Sequence, residues 1–305
     1  LARKPNKALL FALKFLVSSS LLYAVLSRAG LEKVFGLLRN IAPMSFVAAV
    51  LIYLSAQFVS SIRWRLLLEG GPGVGRLFPL YLLGSFFNTF LPGLVGGDAV
   101  KAYYLYKEAG DGTRALASVF MDRYMGFLTL MMMGLIAFPF GYRYFSGSWI
   151  EWALPLIVVF FAAASLVVFG LRVGQRARFL RDFYAYFHAY RKKGAVMLKT
   201  IALSAVVQTA VILAVYVLSM GLGERVPLLA LFMFMPIIVT VSSIPVSISG
   251  VGLREGAFVL LLGSIGIPPD AATALSFAWF LSVVAGGLTG IYEYLRHKDY
   301  GAIKG

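Results

Sequence analysis

The sequence predicts an all-α polytopic membrane protein, with about six full spans and two re-entrant helical hairpins related as an inverted repeat. Three observations predict it. Of the 305 residues, 60% are hydrophobic and 13% charged, against about 45–50% and about 25% in soluble domains. Six apolar stretches, 8–27, 43–61, 115–138, 152–171, 200–221 and 272–295, have the roughly 20 residues that a hydrocarbon layer ~30 Å thick requires. Two further apolar stretches, 77–97 and 228–266, are interrupted by Pro, Gly and charge. This composition excludes an ordinary soluble enzyme and a disordered chain. With no Cys, and with His188 and His297 both in polar basic stretches, no metal or cofactor site is expected.

The first stretch reads as a span, because its apolar run is long and no small-x-small cleavage site follows. The second ends at Arg63-Trp64-Arg65, which reads as a set of interfacial anchors. Stretch 77–97 contains Asn88, Pro92 and Gly96-Gly97. Pro removes a backbone donor and Gly weakens a helix. At membrane depth such breaks survive only where the backbone is buried in protein or lines a wet cavity, so the stretch is expected to fold as two half-helices. Asp122-Arg123 interrupts the span 115–138. Segment 172–199 follows the fourth span with eight Lys and Arg, one Asp and six Phe and Tyr. Basic and aromatic residues together suit a helix on an anionic leaflet better than nucleic acid. Stretch 228–266 has Pro236, Pro245, a Ser-rich run, Gly250, Gly252 and Arg254-Glu255, and is the second expected hairpin. In the last span Glu293, between Tyr292 and Tyr294, reads as interfacial.

Charge sets the direction. With the N-terminus in the cytoplasm and each hairpin returning to its own side, the inner segments hold 20 Lys and Arg and the outer loops 5. That bias places both termini in the cytoplasm. The net charge of +15 therefore marks a membrane face. The whole chain, 1–305, reads as one membrane domain whose halves, 77–138 and 228–295, share a plan: half-helix, Pro, Gly-rich turn with charge, return, full span. Hairpins opening to opposite faces make the repeat inverted, a transporter arrangement with substrate held where the halves meet.

Ionisable side chains kept in lipid are functional candidates. Here they are Asp98 and Lys101 after the first break, Asp122 and Arg123 in the third span, and Arg254 and Glu255 after the second break. A phosphate-bearing headgroup suits Arg forks and free N–H groups at a helix start. Gly96, Gly97, Gly250 and Gly252 are expected to offer those N–H groups, with Asn88, Ser247 and Ser249 as polar partners and Pro92 and Pro245 as the helix breaks. Arg123 and Arg254 supply permanent charge. The glycines at 70–75 lack the Lys-Ser/Thr ending of a phosphate-binding loop, so ATP-driven pumping by this chain alone is not expected.

The run Ser85-Phe86-Phe87-Asn88-Thr89-Phe90-Leu91-Pro92-Gly93-Leu94-Val95-Gly96-Gly97-Asp98, with Lys101, Ser118-Val119-Phe120-Met121-Asp122-Arg123 and Pro245-x4-Gly250-x-Gly252-x-Arg254-Glu255, resembles the lysylphosphatidylglycerol synthase transmembrane-region family. That family includes the flippase-like membrane domain of the multiple peptide resistance factor. The resemblance implies a polytopic inner-membrane protein that moves lipid, and carries the family's motif residues onto Asn88, Pro92, Gly96, Gly97, Asp98, Arg123, Gly250, Gly252, Arg254 and Glu255. The resistance factor continues into a cytosolic aminoacyl transferase. This chain stops at Gly305, so no synthase activity is expected of it. The leading expectation is a lipid flippase for an anionic or phosphate-containing lipid. The alternatives are an integral-membrane enzyme using Asp98, Asp122 and Glu255 as acid and base groups, or a lipid-binding subunit of a synthesis complex. Expected partners are membrane lipids, with a lipid-synthesis enzyme or a second copy as further possibilities, and no nucleic acid.

Overall fold

A computed structural model describes residues 7–68, 70–90, 96–145, 149–170, 184, 187, 193–292 and 295. Lipid offers no hydrogen-bond partners, so apolar runs must satisfy their backbone internally, as helices. The described residues form eleven: α1 (Lys7–Ala29), α2 (Leu31–Arg39), α3 (Pro43–Leu67), α4 (Val74–Phe90), α5 (Gly96–Ala109), α6 (Gly112–Gly141), α7 (Ala153–Ser165), α8 (Gly194–Gly221), α9 (Leu228–Ser242), α10 (Leu253–Gly263) and α11 (Pro269–Gly287). No strand occurs among them. Six helices are long and apolar enough to span: Phe11–Ala29, Pro43–Leu67, Gly112–Tyr144, Ile150–Gly170, Gly194–Gly221 and Pro269–Tyr292. These correspond to the six predicted stretches, with ends shifted by up to six residues. Local chemistry sets several starts. Pro43 and Pro269 occupy the first turns of α3 and α11, where no N–H is needed. Asp111 caps α6 by accepting the Arg114 N–H at 3.0 Å, a partner for one of the orphan donors of the first turn.

α3 and α8 pack antiparallel along the bundle. Ala42 N–H donates to Gly221 O at one end, and Arg63 meets Ser204 near the other. Around them lie two main cores. One joins α3 to α4, α5 and α6 through Trp64, Leu77, Leu80, Leu83, Leu105 and Val119. The other gathers α6, α8, α9, α10 and α11 around Phe234, Phe258 and Leu275.

Stretch 228–266 forms a helical pair within its own bounds, whereas 77–97 supplies α4 and only the first two residues of α5, so its return arm is 96–109, a segment that the sequence places in an inner loop. α4 and α5 are antiparallel: Arg76 bonds Glu108 at 2.6 Å, Gly84 faces Lys101, and Asn88 accepts the Gly97 N–H at 2.9 Å. Their far ends lie beside Gly287, which touches Phe86 and Thr89, within the span Pro269–Tyr292 and not beyond its end. α9 and α10 are joined by the turn 243–252. Gly252 packs on Leu21 and Leu22, and Gly256 on Val25, while Ile248 N–H donates to Ser18 Oγ at 2.8 Å. That turn therefore lies beside the middle of α1. The first pair follows the C-terminal end of α3 and the second that of α8, so the antiparallel α3 and α8 deliver them from opposite ends of the bundle.

Two glycines explain the tightness of these pairs. Gly252 has φ of 85°, a left-handed conformation that only glycine adopts without strain. At Gly97 the cause is close approach, since a Cβ there would overlap Gly84 O and the Asn88 backbone and side chain. Gly97→Ala is thus expected to destabilise the protein by about 1–3 kcal/mol or more through overpacking. Ala at Gly36, which faces open space, is expected to be silent. Thermal unfolding in detergent reads both.

Of segment 172–199, residues 184, 187 and 193–199 are described. From Gly194 on it is the first turns of α8. Tyr184 is buried, and Phe187 stacks on Phe169 at 3.9 Å between ring centres, so these two aromatics pack on protein instead of on a leaflet. The segment's basic residues before Lys193, together with Pro92 and Glu293, lie outside the described residues.

Candidate functional site

The first charge centre is assembled from α3, α4, α5 and α6. Asp122 is fully buried, and Arg63 Nε donates to its Oδ1 at 2.8 Å while Tyr81 OH donates to its Oδ2 at 2.8 Å. Arg63 also reaches Ser204 Oγ at 3.0 Å. Beside this pair, Asp98 stands between two cations: Lys101 Nζ at 3.1 Å and Arg123 Nε at 2.7 Å. Lys101 is buried, with its ammonium 4.1 Å from the centre of the Tyr81 ring and 5.4 Å from that of Trp64. Aromatic faces are a partial substitute for water around a buried cation. Trp64 is itself held by a bond from Nε1 to Ser118 Oγ at 3.1 Å. The sequence positions explain the convergence: Asp98 and Lys101 lie one turn apart on α5, and Ser118 and Asp122 one turn apart on α6, facing inward.

The centre holds three cations and two carboxylates among the described residues. Four of the five side chains are buried or nearly so, but Arg123 is 49% exposed. It sits eleven residues, about 16 Å, into α6, beside half-exposed Phe120. A permanent charge left open at that position is costly against hydrocarbon, and among the described residues Arg123 is the one member of the centre whose charged group is exposed.

The second centre is smaller and closed. Arg254 bonds Glu255 Oε1 through Nη2 at 2.5 Å and Nε at 3.0 Å. Ser276 bridges the two at 3.1 Å from each, and the Arg254 guanidinium lies 4.5 Å from the Phe280 ring. Glu255 is fully buried, and its other oxygen accepts the Gly252 N–H at 2.6 Å. This centre is neutral, and its arginine is occupied from within.

These geometries correct several expectations. The N–H groups of Gly97 and Gly252, read as free donors for a ligand, are taken by Asn88 and Glu255. Asn88 is correspondingly a clasp of the first pair. Gly250, with φ of 76°, is pressed against Ser242 and serves the turn, as does Ser249 with φ of 51°. Gly96 begins α5, and Pro245 sits exposed in the turn between α9 and α10. Ser247 Oγ is buried without a hydrogen-bond partner among the described residues. Arg63 and Trp64 are not interfacial anchors: both are buried, and only Arg65 caps its helix, donating to Leu68 O at 2.7 Å. Among the described residues no ion pair joins 77–138 to 228–295: Asp98 pairs with Lys101 and Arg123, Arg254 with Glu255, and Asp122 with Arg63, which lies outside both halves. Sequence reasoning missed Arg63, Tyr81, Ser204 and Ser276 as partners. A signal existed in α6, where Ser118, Asp122 and Thr129 form a polar stripe on an otherwise apolar span.

Comparison with known proteins agrees with this architecture. A UPF0104 membrane protein of Methanocaldococcus jannaschii is 22% identical over 86% of this chain and 87% of its own length. One from Pyrococcus horikoshii is 20% identical over 90% and 95%. One from Methanothermobacter thermautotrophicus is 23% identical over 87% and 86%. Residues 11–288 match the family described as the lysylphosphatidylglycerol synthase TM region. With that match over nearly the whole described bundle, and with its six apolar spans, this chain is a multi-pass membrane protein belonging to the lysylphosphatidylglycerol synthase TM region family.

Proposed function

We propose that this protein carries a membrane lipid with an anionic, phosphate-bearing headgroup between leaflets of the cytoplasmic membrane, with Arg123 as the headgroup's charge partner. The observation that carries this reading is the first centre: an excess of one positive charge among its described residues, with a half-exposed guanidinium at its edge. An anion at Arg123 neutralises the excess and meets a fork suited to phosphate. Asp98 keeps Lys101 when Arg123 is engaged elsewhere, so the exchange leaves no buried carboxylate unpaired.

The two helical pairs supply the moving parts. The pairs approach from opposite ends and turn within the depth of neighbouring spans, which supports reading them as re-entrant hairpins in inverted halves. In transporters of that kind, one half rocks against the other around a fixed site. The excess of Lys and Arg on one side of the spans supports cytoplasmic termini. A transporter needs no acid or base group at the headgroup, and the three carboxylates at issue, Asp98, Asp122 and Glu255, are each engaged by a cation.

Purified protein in vesicles of phosphatidylcholine doped with fluorescent phosphatidylglycerol tests this. The expected result is leaflet exchange at least tenfold faster than in protein-free vesicles, with lipid mass unchanged. A new lipid mass supports the enzyme reading, and no exchange for any anionic lipid removes the transporter reading.

A further inference from the structure

Outside both charge centres, α6 and α7 enclose a half-open groove of about 560 Å³. Its α6 wall is one face, Tyr124, Leu128, Met131 and Leu135, and the facing wall includes Phe161 of α7 and Phe169 just beyond it. Apart from the hydroxyls of Tyr124 and Ser165, the lining side chains are hydrocarbon, aromatic ring and the thioethers of Met131 and Met132, and Ser165 donates its own hydroxyl to Phe161 O at 2.8 Å. The volume is in the range of sites that hold a whole small molecule, about 300–1,000 Å³. From Tyr124 to Leu135 the groove runs about 16 Å along the helix, close to half of the ~30 Å hydrocarbon layer.

Three features distinguish it from ordinary roughness of a lipid-facing surface. After Ser165, α7 passes into a π-helical turn, Leu166–Gly170, which supplies part of the lining. Such turns are rare and collect at functional sites. The end nearer Gly112 is walled by rings: Tyr124 lies 5.1 Å from Phe169, which stacks on Phe187 at 3.9 Å. That wall stands at the level of Arg123, the residue before Tyr124, and the groove leads away from it toward the other end of the span.

We infer that this groove holds one acyl chain of a diacyl lipid whose headgroup lies at Arg123. The inference rests on the proposed role of Arg123 and extends it to the lipid's tail. A lipid with its phosphate at Arg123 has tails about one leaflet long, directed along α6 away from Gly112, and the groove has that length, direction and chemistry. The side of the membrane follows too: with a cytoplasmic N-terminus, α6 starts inside, so the chain belongs to a lipid oriented as in the inner leaflet.

Filling the groove tests this without requiring transport. Ala162 lines it and is exposed, while Ala163 is exposed on the same helix but does not line it. Full-length protein is equilibrated with palmitoyl-oleoyl phosphatidylglycerol, washed with detergent and weighed intact by native mass spectrometry. The wild type and Ala163→Phe are expected to retain one lipid, and Ala162→Phe to retain it at least fivefold less often. Equal retention by Ala162→Phe, loss by both variants, or no retention by the wild type overturns the inference. If the wild type moves no lipid between leaflets yet Ala162→Phe alone loses the bound lipid, the groove stands and the transport reading falls. If transport is seen but Ala162→Phe binds as the wild type does, the reverse holds.

Discussion

Arg123→Ala is expected to slow exchange of an anionic lipid between leaflets by about 10- to 100-fold while leaving a protein that purifies and unfolds as the wild type does. Hydrogen bonds to charged groups contribute about 1.5–3 kcal/mol, and each 1.4 kcal/mol is a factor of ten. The fold tolerates the loss for a geometric reason. Arg123 is half-exposed, and the carboxylate it holds, Asp98, keeps Lys101 at 3.1 Å. Arg123→Lys retains the charge but not the planar fork, so its rate should lie between the two. Arg63→Ala is the contrasting case. Among the described residues it strips the only cation bonded to fully buried Asp122, leaving Tyr81 to satisfy it, and its expected effect is loss of folded protein. An Arg123→Ala protein that exchanges phosphatidylglycerol at the wild-type rate removes Arg123 from the site.

The spans were legible in the sequence because a single rule governs them: in lipid an apolar run of this length has no alternative to a helix. The two helical pairs were legible for the same reason in reverse, since Pro and Gly at 92–97 and 245–252 mark where a helix cannot continue. The members of the charge centres could be found too, because Asp98, Asp122, Arg123, Arg254 and Glu255 are expensive wherever they fall. Their pairing could not. Arg63 stands four residues from the end of α3, where an arginine ordinarily reaches for the interface, and only the neighbouring α4, α6 and α8 turn that position into the interior. Glycine carried a similar ambiguity. Gly97 is there because Gly84 O approaches it, Gly252 because its φ is positive, and in both cases the N–H that the sequence offered to a ligand is taken by a side chain of the chain itself. Tyr81, Ser204 and Ser276 are residues common in any membrane helix. Their roles come entirely from the buried charge each happens to face.

The second centre separates structure from transport. Arg254→Ala is expected to destabilise the protein by about 3–5 kcal/mol, the usual cost of removing one partner from a buried ion pair. Glu255 is fully buried, and without Arg254 it keeps, among the described residues, the Gly252 N–H and the Ser276 hydroxyl, two neutral donors for a full charge. Glu255→Gln fails differently, since the amide oxygen can still accept from Gly252 while Arg254 loses its counter-charge. Removing both charges together, as Arg254→Met with Glu255→Gln, leaves no buried charge at all, and replacing such pairs by uncharged groups of similar volume is often neutral. The double variant is therefore expected to unfold at a higher temperature than either single variant. Tryptophan emission, to which Trp279 beside Phe280 contributes with the chain's three other tryptophans, follows the transition. Because Arg254 is occupied from within and the pair is neutral, the double variant should also exchange lipid at a rate within about threefold of the wild type, allowing for repacking around the new side chains. A double variant that folds well but no longer moves lipid, or an Arg254→Ala protein that is fully stable and inactive, would place the second centre in the translocation path and make the two halves functionally equivalent, against the asymmetry that their burial and charge imply.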